Sequence, residues 1–142
     1  MDKMKQAQTT LKIKTNRQGL FEITPMVTEW LRDCDVNAGL LTVFCRHTSA
    51  SLIIQENADP DVVLDVQDFY KQLVAEGNNI YRHSSEGIDD MPGHIKSTLT
   101  DVSLSIPIMD GSLVLGTWQG IFLFEHRARD HSREVVLHVM GQ

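Results

Sequence analysis

The stretch from His83 to His94 reads His-Ser-Ser-Glu-Gly-Ile-Asp-Asp-Met-Pro-Gly-His. Two imidazoles enclose three carboxylates, Glu86, Asp89 and Asp90, together with two hydroxyls and two glycines. The run has neither a helical nor a strand period. Imidazole and carboxylate are natural ligands of zinc and other divalent ions, and natural acid–base groups near neutral pH. A solvated acidic loop has the same composition, so the rest of the chain must decide between the two.

His47 joins this set from a different segment. On a period of two it shares a face with Leu41, Val43 and Cys45, which places it at the end of a core-facing row. Such a position suits a satisfied core histidine as well as a ligand. No pair among His47, His83 and His94 has the i, i+4 spacing of a helical zinc motif, so a shared metal must be assembled from separate segments. His138 falls in a strand and reads as structural. His126 and His131 sit among Arg127, Arg129 and Arg133, where phosphate binding or plain solvation is expected. The glycine-flanked serine of a hydrolase elbow is absent, and neither cysteine has the setting of a nucleophile. The inventory therefore points to metal-assisted or phosphate chemistry. Carboxylates can hold a divalent ion, while Lys96 and the arginines can neutralise phosphates.

The elements that must position these groups follow from patterning. The 142 residues suit one domain spanning the chain, with a substantial core. A formal net charge of −6 argues against general nucleic-acid binding. No apolar run is long enough to cross a membrane, and no signal-peptide core stands at the N-terminus. Cys34 and Cys45 form no disulfide framework, so a cytoplasmic location is expected.

Met1 to Gln8 is expected to fray. Alternation predicts a strand over Thr9 to Thr15 that forms a hairpin with Leu20 to Ile23. Thr24-Pro25 reads as a cap and first turn for a helix with Val27, Trp30, Leu31 and Cys34 on one stripe. Strands follow over Leu40 to Arg46 and Ala50 to Gln55, with Glu56 just past the second. Asp59-Pro60 opens a helix whose apolar face is Val63, Val66, Tyr70, Leu73 and Val74. Asn78 to Met91 is longer than a connection requires, which favours a functional loop. Pro92 to Leu99 reads as a short helix. Asp101 to Ile108 alternates as a strand, turns at Met109 to Ser112, and returns through Leu113 to Leu115. Trp118 to Glu125 is apolar on both faces, hence central, and Glu134 to Met140 is the last strand. About eight strands and three helices make an α+β domain, a mostly antiparallel sheet or sandwich with helices packed to one side.

Three of these segments resemble the signatures of the YjbQ family. His47-Thr48-Ser49-Ala50-Ser51-Leu52 followed by Gln55-Glu56-Asn57-Ala58-Asp59-Pro60-Asp61-Val62 is similar to the first. The run from Tyr81 to Lys96 is similar to the second, and the run from Gly111 to Ile121 to the third. The resemblance implies a compact α+β protein assembling as a homotrimer. It also implies a thiamine-phosphate synthase activity, as a principal or side reaction. That reaction joins hydroxymethylpyrimidine pyrophosphate to thiazole phosphate and releases pyrophosphate.

On this reading His47, His83 and His94 are expected as metal ligands or acid–base groups, with zinc or magnesium as the ion. Glu86, Asp89 and Asp90 would contact the ion or polar parts of the substrate. Lys96 and Arg129 would face phosphate, and Trp118, Gln119 and Glu56 would contribute to the pocket. Glu125 to Arg133 departs from the glycine-containing turn of many relatives, so the phosphate contact stays open among Arg127, Arg129 and Arg133. A metal-dependent hydrolase or phosphotransfer enzyme, and a non-enzymatic trimer that binds a phosphorylated small molecule, are the alternatives.

Overall fold

A computed structural model describes residues 3–77 and 79–142; the terminal fraying expected at Met1 and Asp2, and the loop position Asn78, lie outside the described residues. In chain order the elements are β1 (Lys5–Thr15), β2 (Gly19–Glu22), α1 (Thr24–Arg32), β3 (Gly39–Cys45), β4 (Ala50–Glu56), α2 (Pro60–Leu73), α3 (Asp90–Leu99), β5 (Ser103–Met109), β6 (Ser112–Leu113), β7 (Gln119–Glu125) and β8 (His131–Gly141). The strands form two antiparallel sheets, one ordered β1-β8-β3-β5-β6 and the other β2-β7-β4.

Period-two alternation puts one row of each strand between the sheets. Leu41 and Val43 of β3, Leu137 and Val139 of β8, and Ile106 and Ile108 of β5 meet Leu52 of β4 and Ile121 and Leu123 of β7. Leu41, Leu52, Leu123 and Leu137 are wholly buried, and each such side chain contributes about 1.5–3 kcal/mol relative to exposure. The opposite face of β7 presents Phe122 and Phe124, which pack with Leu20 under Val63, Val66 and Tyr70 of α2. Tyr70 meets Phe124 edge to face at 5.4 Å. Burial on both faces makes β7 the central strand of its sheet, as its composition predicts. The helices gather on the smaller sheet: α1 against β7, α2 against β2 and α3 against β4.

Several expectations fail in detail. β1 and β2 do not form a hairpin; β1 pairs with β8 and β2 with β7, so the turn between them carries the chain from one sheet to the other. The N-terminal strand starts at Lys5, because Lys5 lies opposite Gly141 and the chain ends tie each other down. Thr24 does not cap α1; its hydroxyl accepts the Ile121 amide at 2.8 Å, coupling the helix to β7. Asp59 does cap α2, accepting the Asp61 amide at 2.9 Å. Leu73 is exposed, and Val74 makes the buried contact instead. The turn between β5 and β6 is as expected, with Asp110 and Gly111 both at positive φ (51° and 78°), the conformation a tight hairpin favours. α3 begins at Asp90, two residues before Pro92, whose missing N–H costs nothing in a first turn.

Candidate metal centre

The last residue of β7 anchors the site region. Glu125 ends an otherwise apolar central strand and is wholly buried. A carboxylate there requires partners. It accepts from Thr15 Oγ1 at 2.6 Å, from Arg133 Nε at 2.7 Å and Nη2 at 2.5 Å, and from the Arg127 amide at 3.1 Å. Burial pushes its pKa up, but the bonds from Arg133, Thr15 and the Arg127 amide prevail and hold it below the usual carboxylate value. Arg133 Nη2 also donates to the Ser49 carbonyl and hydroxyl, tying β8 to the start of β4.

His126 comes next and is also buried. Its Nε2 lies 2.9 Å from Ser51 Oγ, and its Nδ1 has no partner among the described residues. Burial first, then the nearby charges of Lys96 and Arg133, push its pKa down to about 3, so the ring is neutral. Enclosure of this kind makes His126 a packing element rather than a surface phosphate ligand.

Arg127 then turns toward the 83–90 loop. Its Nη1 donates to Asp90 Oδ1 at 2.6 Å, its Nε to Asp89 Oδ1 at 3.1 Å, and its Nη2 to the Glu86 carbonyl at 2.7 Å. Asp89 Oδ2 accepts the Ala128 amide at 2.7 Å. Both carboxylates are thereby held at the start of α3, which explains why Asp89 does not cap that helix with its side chain.

The remaining oxygen of Asp90 faces the two histidines. Oδ2 lies 2.6 Å from His83 Nε2 and 3.1 Å from His94 Nε2. The ligand atoms of His83, Asp90 and His94 all fall within 4.8 Å of one another. His94 and Asp90 are four apart, on one face of α3. His94 Nδ1 lies 2.8 Å from the Thr48 carbonyl, just before β4. A carbonyl only accepts, so Nδ1 carries the proton and Nε2 is the ring atom left facing the cluster. Metal-ligating histidines are fixed in this way by a second hydrogen bond. Burial raises the Asp90 pKa, but the His83 hydrogen bond and the charge of Arg127 outweigh it, leaving the carboxyl below its ordinary value. The donor set thus fits a divalent transition metal: two imidazole nitrogens and one ionised oxygen, partly open to solvent through His83 and His94.

The other expected site residues divide. Glu86 stays close, with Oε2 3.9 Å from His83 Nε2. Asp89 is a brace, since Arg127 and Ala128 occupy its oxygens. His47 stands outside the donor set: its Nε2 accepts the Glu134 amide at 2.7 Å, and burial with the nearby Arg133 lowers its pKa. The core-facing row that led to His47 ends against β8 instead. Lys96 is buried, with burial lowering its pKa, so it does not face an external phosphate. Arg129 is exposed and lines an open depression with Glu76, Glu86 and Ala128.

Glu56, Trp118 and Gln119 lie at the opposite end of β7. Glu56 pairs with Gln119, whereas Ala50 pairs with Glu125 beside the cluster. Seven extended residues separate the two ends by about 20 Å. Gln119 Oε1 accepts the Gly116 amide at 2.8 Å and closes the turn before β7, while Trp118 is 61% exposed. Among the described residues of a single chain, these three therefore stand at the other end of the sheet from the histidines. Arg127 is the functional candidate that sequence patterning underrated. Its signal was a charged run continuing directly from a central apolar strand, a placement that demands buried partners.

Comparison with known proteins gives a consistent family. Residues 9–142 match the model of the family described as UPF0047 protein YjbQ-like. A UPF0047 protein of Synechocystis sp. is 54% identical over 138 residues, covering 97% of this chain and 94% of that protein. The UPF0047 protein YjbQ of Escherichia coli O157:H7 is 41% identical, covering 95% and 98%. Among solved structures, a YbjQ-like protein of unknown function from Sulfolobus solfataricus P2 superposes with a TM-score of 0.90 at 23% identity, covering 99% of this chain and 100% of that one. A hypothetical protein from Aeropyrum pernix K1 gives 0.86 at 30% identity, covering 96% and 99%.

Proposed function

Taking as premise that this chain belongs to the UPF0047 YjbQ-like family, we propose that it is a divalent-metal-dependent enzyme acting on a phosphorylated small molecule, with His83, Asp90 and His94 as the metal ligands. The observation that carries this reading is the geometry of the cluster: His94, held through Nδ1 by the Thr48 carbonyl, brings its Nε2 together with Asp90 Oδ2 and His83 Nε2 around one point. An ion held by His83, Asp90 and His94 would supply Lewis acidity toward a phosphoryl oxygen. The chain's own groups orient the ligands: Thr48 and Arg127 hold His94 and Asp90, and Glu86 places a carboxylate 3.9 Å from His83 at the rim.

The reaction that the family resemblance implies is thiamine-phosphate synthesis. Pyrophosphate leaves the pyrimidine methylene, and the thiazole nitrogen bonds to that carbon. Stabilising the departing pyrophosphate is a task for a divalent ion or cationic groups, and Arg129 is an exposed cation next to the loop. A homotrimer working in the cytoplasm belongs to the same proposal. Exposed Phe69, Leu73, Leu99 and Val102 offer apolar surface for self-association, and among the described residues no helix is long and apolar enough to cross a membrane. Light scattering should give three times the 16.0 kDa chain mass; a monomer at micromolar concentration would rule the trimer out.

Elemental analysis of wild type and His94→Ala, paired with the two-substrate assay, tests the function. Near-stoichiometric metal in the wild type, lost in the variant together with pyrophosphate release, is expected. Metal-dependent turnover of a single phosphate or ester would replace the synthase with a hydrolase. Equal metal content in both proteins would remove His94 as a ligand.

A further inference from the structure

On the reading of His83, Asp90 and His94 as metal ligands, we propose that Arg127 is a positioning residue that keeps Asp90 a one-oxygen ligand and so makes this a site for a zinc-class transition metal rather than for calcium. All three guanidinium nitrogens are committed to the 83–90 loop: Nη1 to Asp90 Oδ1 at 2.6 Å, Nε to Asp89 Oδ1 at 3.1 Å, and Nη2 to the Glu86 carbonyl at 2.7 Å. The Arg127 and Asp90 side chains are 7% and 3% exposed, so water competes little for these bonds. Asp89 is gripped from its other side by the Ala128 amide at 2.7 Å, which fixes the plane of the guanidinium.

This arrangement saturates one oxygen of Asp90 and leaves the other to the histidines. Calcium takes six to eight oxygen ligands and commonly uses both oxygens of a carboxylate. Two imidazoles and a single carboxylate oxygen instead suit zinc and its first-row neighbours. The charge of Arg127 also offsets one of the two adjacent carboxylates, which lowers the pull on a hard cation. Lysine in its place would keep the charge but would lose the planar fork that holds three acceptors at set angles. Asp90 would then be free to turn both oxygens inward.

The test uses full-length, metal-free protein titrated separately with zinc, cobalt and calcium, with the visible spectrum of bound cobalt as the geometric readout. Wild type should bind zinc and cobalt, and calcium far more weakly. Arg127→Lys should bind zinc about 10–100-fold more weakly, change the cobalt spectrum and narrow the discrimination against calcium. Asp89→Asn, which loosens the Arg127 plane without touching a ligand, should shift all three readouts in the same direction by a smaller factor; it carries the test if Arg127→Lys fails to fold. His94→Ala separates the two ideas. No metal binding by wild type, or binding unchanged in His94→Ala, overturns the site and the Arg127 role with it. Binding lost in His94→Ala but unchanged in Arg127→Lys and Asp89→Asn, with only their melting temperatures lowered, keeps the site and overturns the role of Arg127.

Discussion

At one end of β7, Glu125, His126 and Arg127 run inward among buried charges; at the other, Gln119 and Trp118 face a turn and solvent. Both ends carry polar and aromatic residues of kinds that bind ligands. The first end is organised by ion pairs that cross between segments: Arg133 to Glu125, and Arg127 to Asp89 and Asp90. The second is organised by bonds among exposed groups. Gln119 bonds three residues back to Gly116, and Asn57 Nδ2 donates to Glu22 Oε2 at 2.8 Å across Gly120. Buried ion pairs hold side chains toward a common point, whereas bonds between exposed groups compete with water and hold them less firmly. The candidate metal ligands His83, Asp90 and His94 gather at the first end.

Removing the central brace should have the largest effect. Glu125→Ala leaves the Arg133 guanidinium buried without its carboxylate, and should cost about 3–5 kcal/mol in urea unfolding. A loss under about 1 kcal/mol would mean that the two ends of β7 are held alike.

The pH dependence is next. His126 titrates near its ordinary 6.5 when unfolded and at about 3 when folded, so the unfolded chain binds the extra proton between those values. Its contribution is therefore complete above pH 6.5 and declines as pH falls toward 3, by about 2 kcal/mol at pH 5. Unfolding at pH 7 and pH 5 should show this loss, and His126→Gln should flatten it. An unchanged slope in the variant would place the acid sensitivity elsewhere.

At the far end, a Cβ on Gly120 would stand 2.7 Å from Glu22 Oε2 and 2.9 Å from the Asn57 Cβ. Gly120→Ala should cost toward the low end of about 1–3 kcal/mol, since Glu22 and Asn57 are exposed and can shift, and it should leave metal content unchanged. Trp118→Ala should be smallest, within about 0.5 kcal/mol, again with metal retained. Loss of turnover in Trp118→Ala with metal intact would sharpen the comparison differently. It would mean that a neighbouring copy brings its Trp118 to the metal end.

Much of the fold was legible because its signals are local. Alternation marked the strands, Asp59-Pro60 marked the start of α2, and two apolar faces marked β7 as central. The hairpin assigned to β1 and β2 failed because alternation says which face is buried but not against which sheet. The site followed the same division. The composition of the 83–94 stretch by itself determined that imidazoles and carboxylates would lie close together. That Asp90 rather than His47 joins His83 and His94, that Arg127 secures it, and that Trp118 stands about 20 Å away along β7, was decided only by the tertiary structure. Strand pairing and buried charge pairs join residues dozens of positions apart, and no local pattern records which partner each will find.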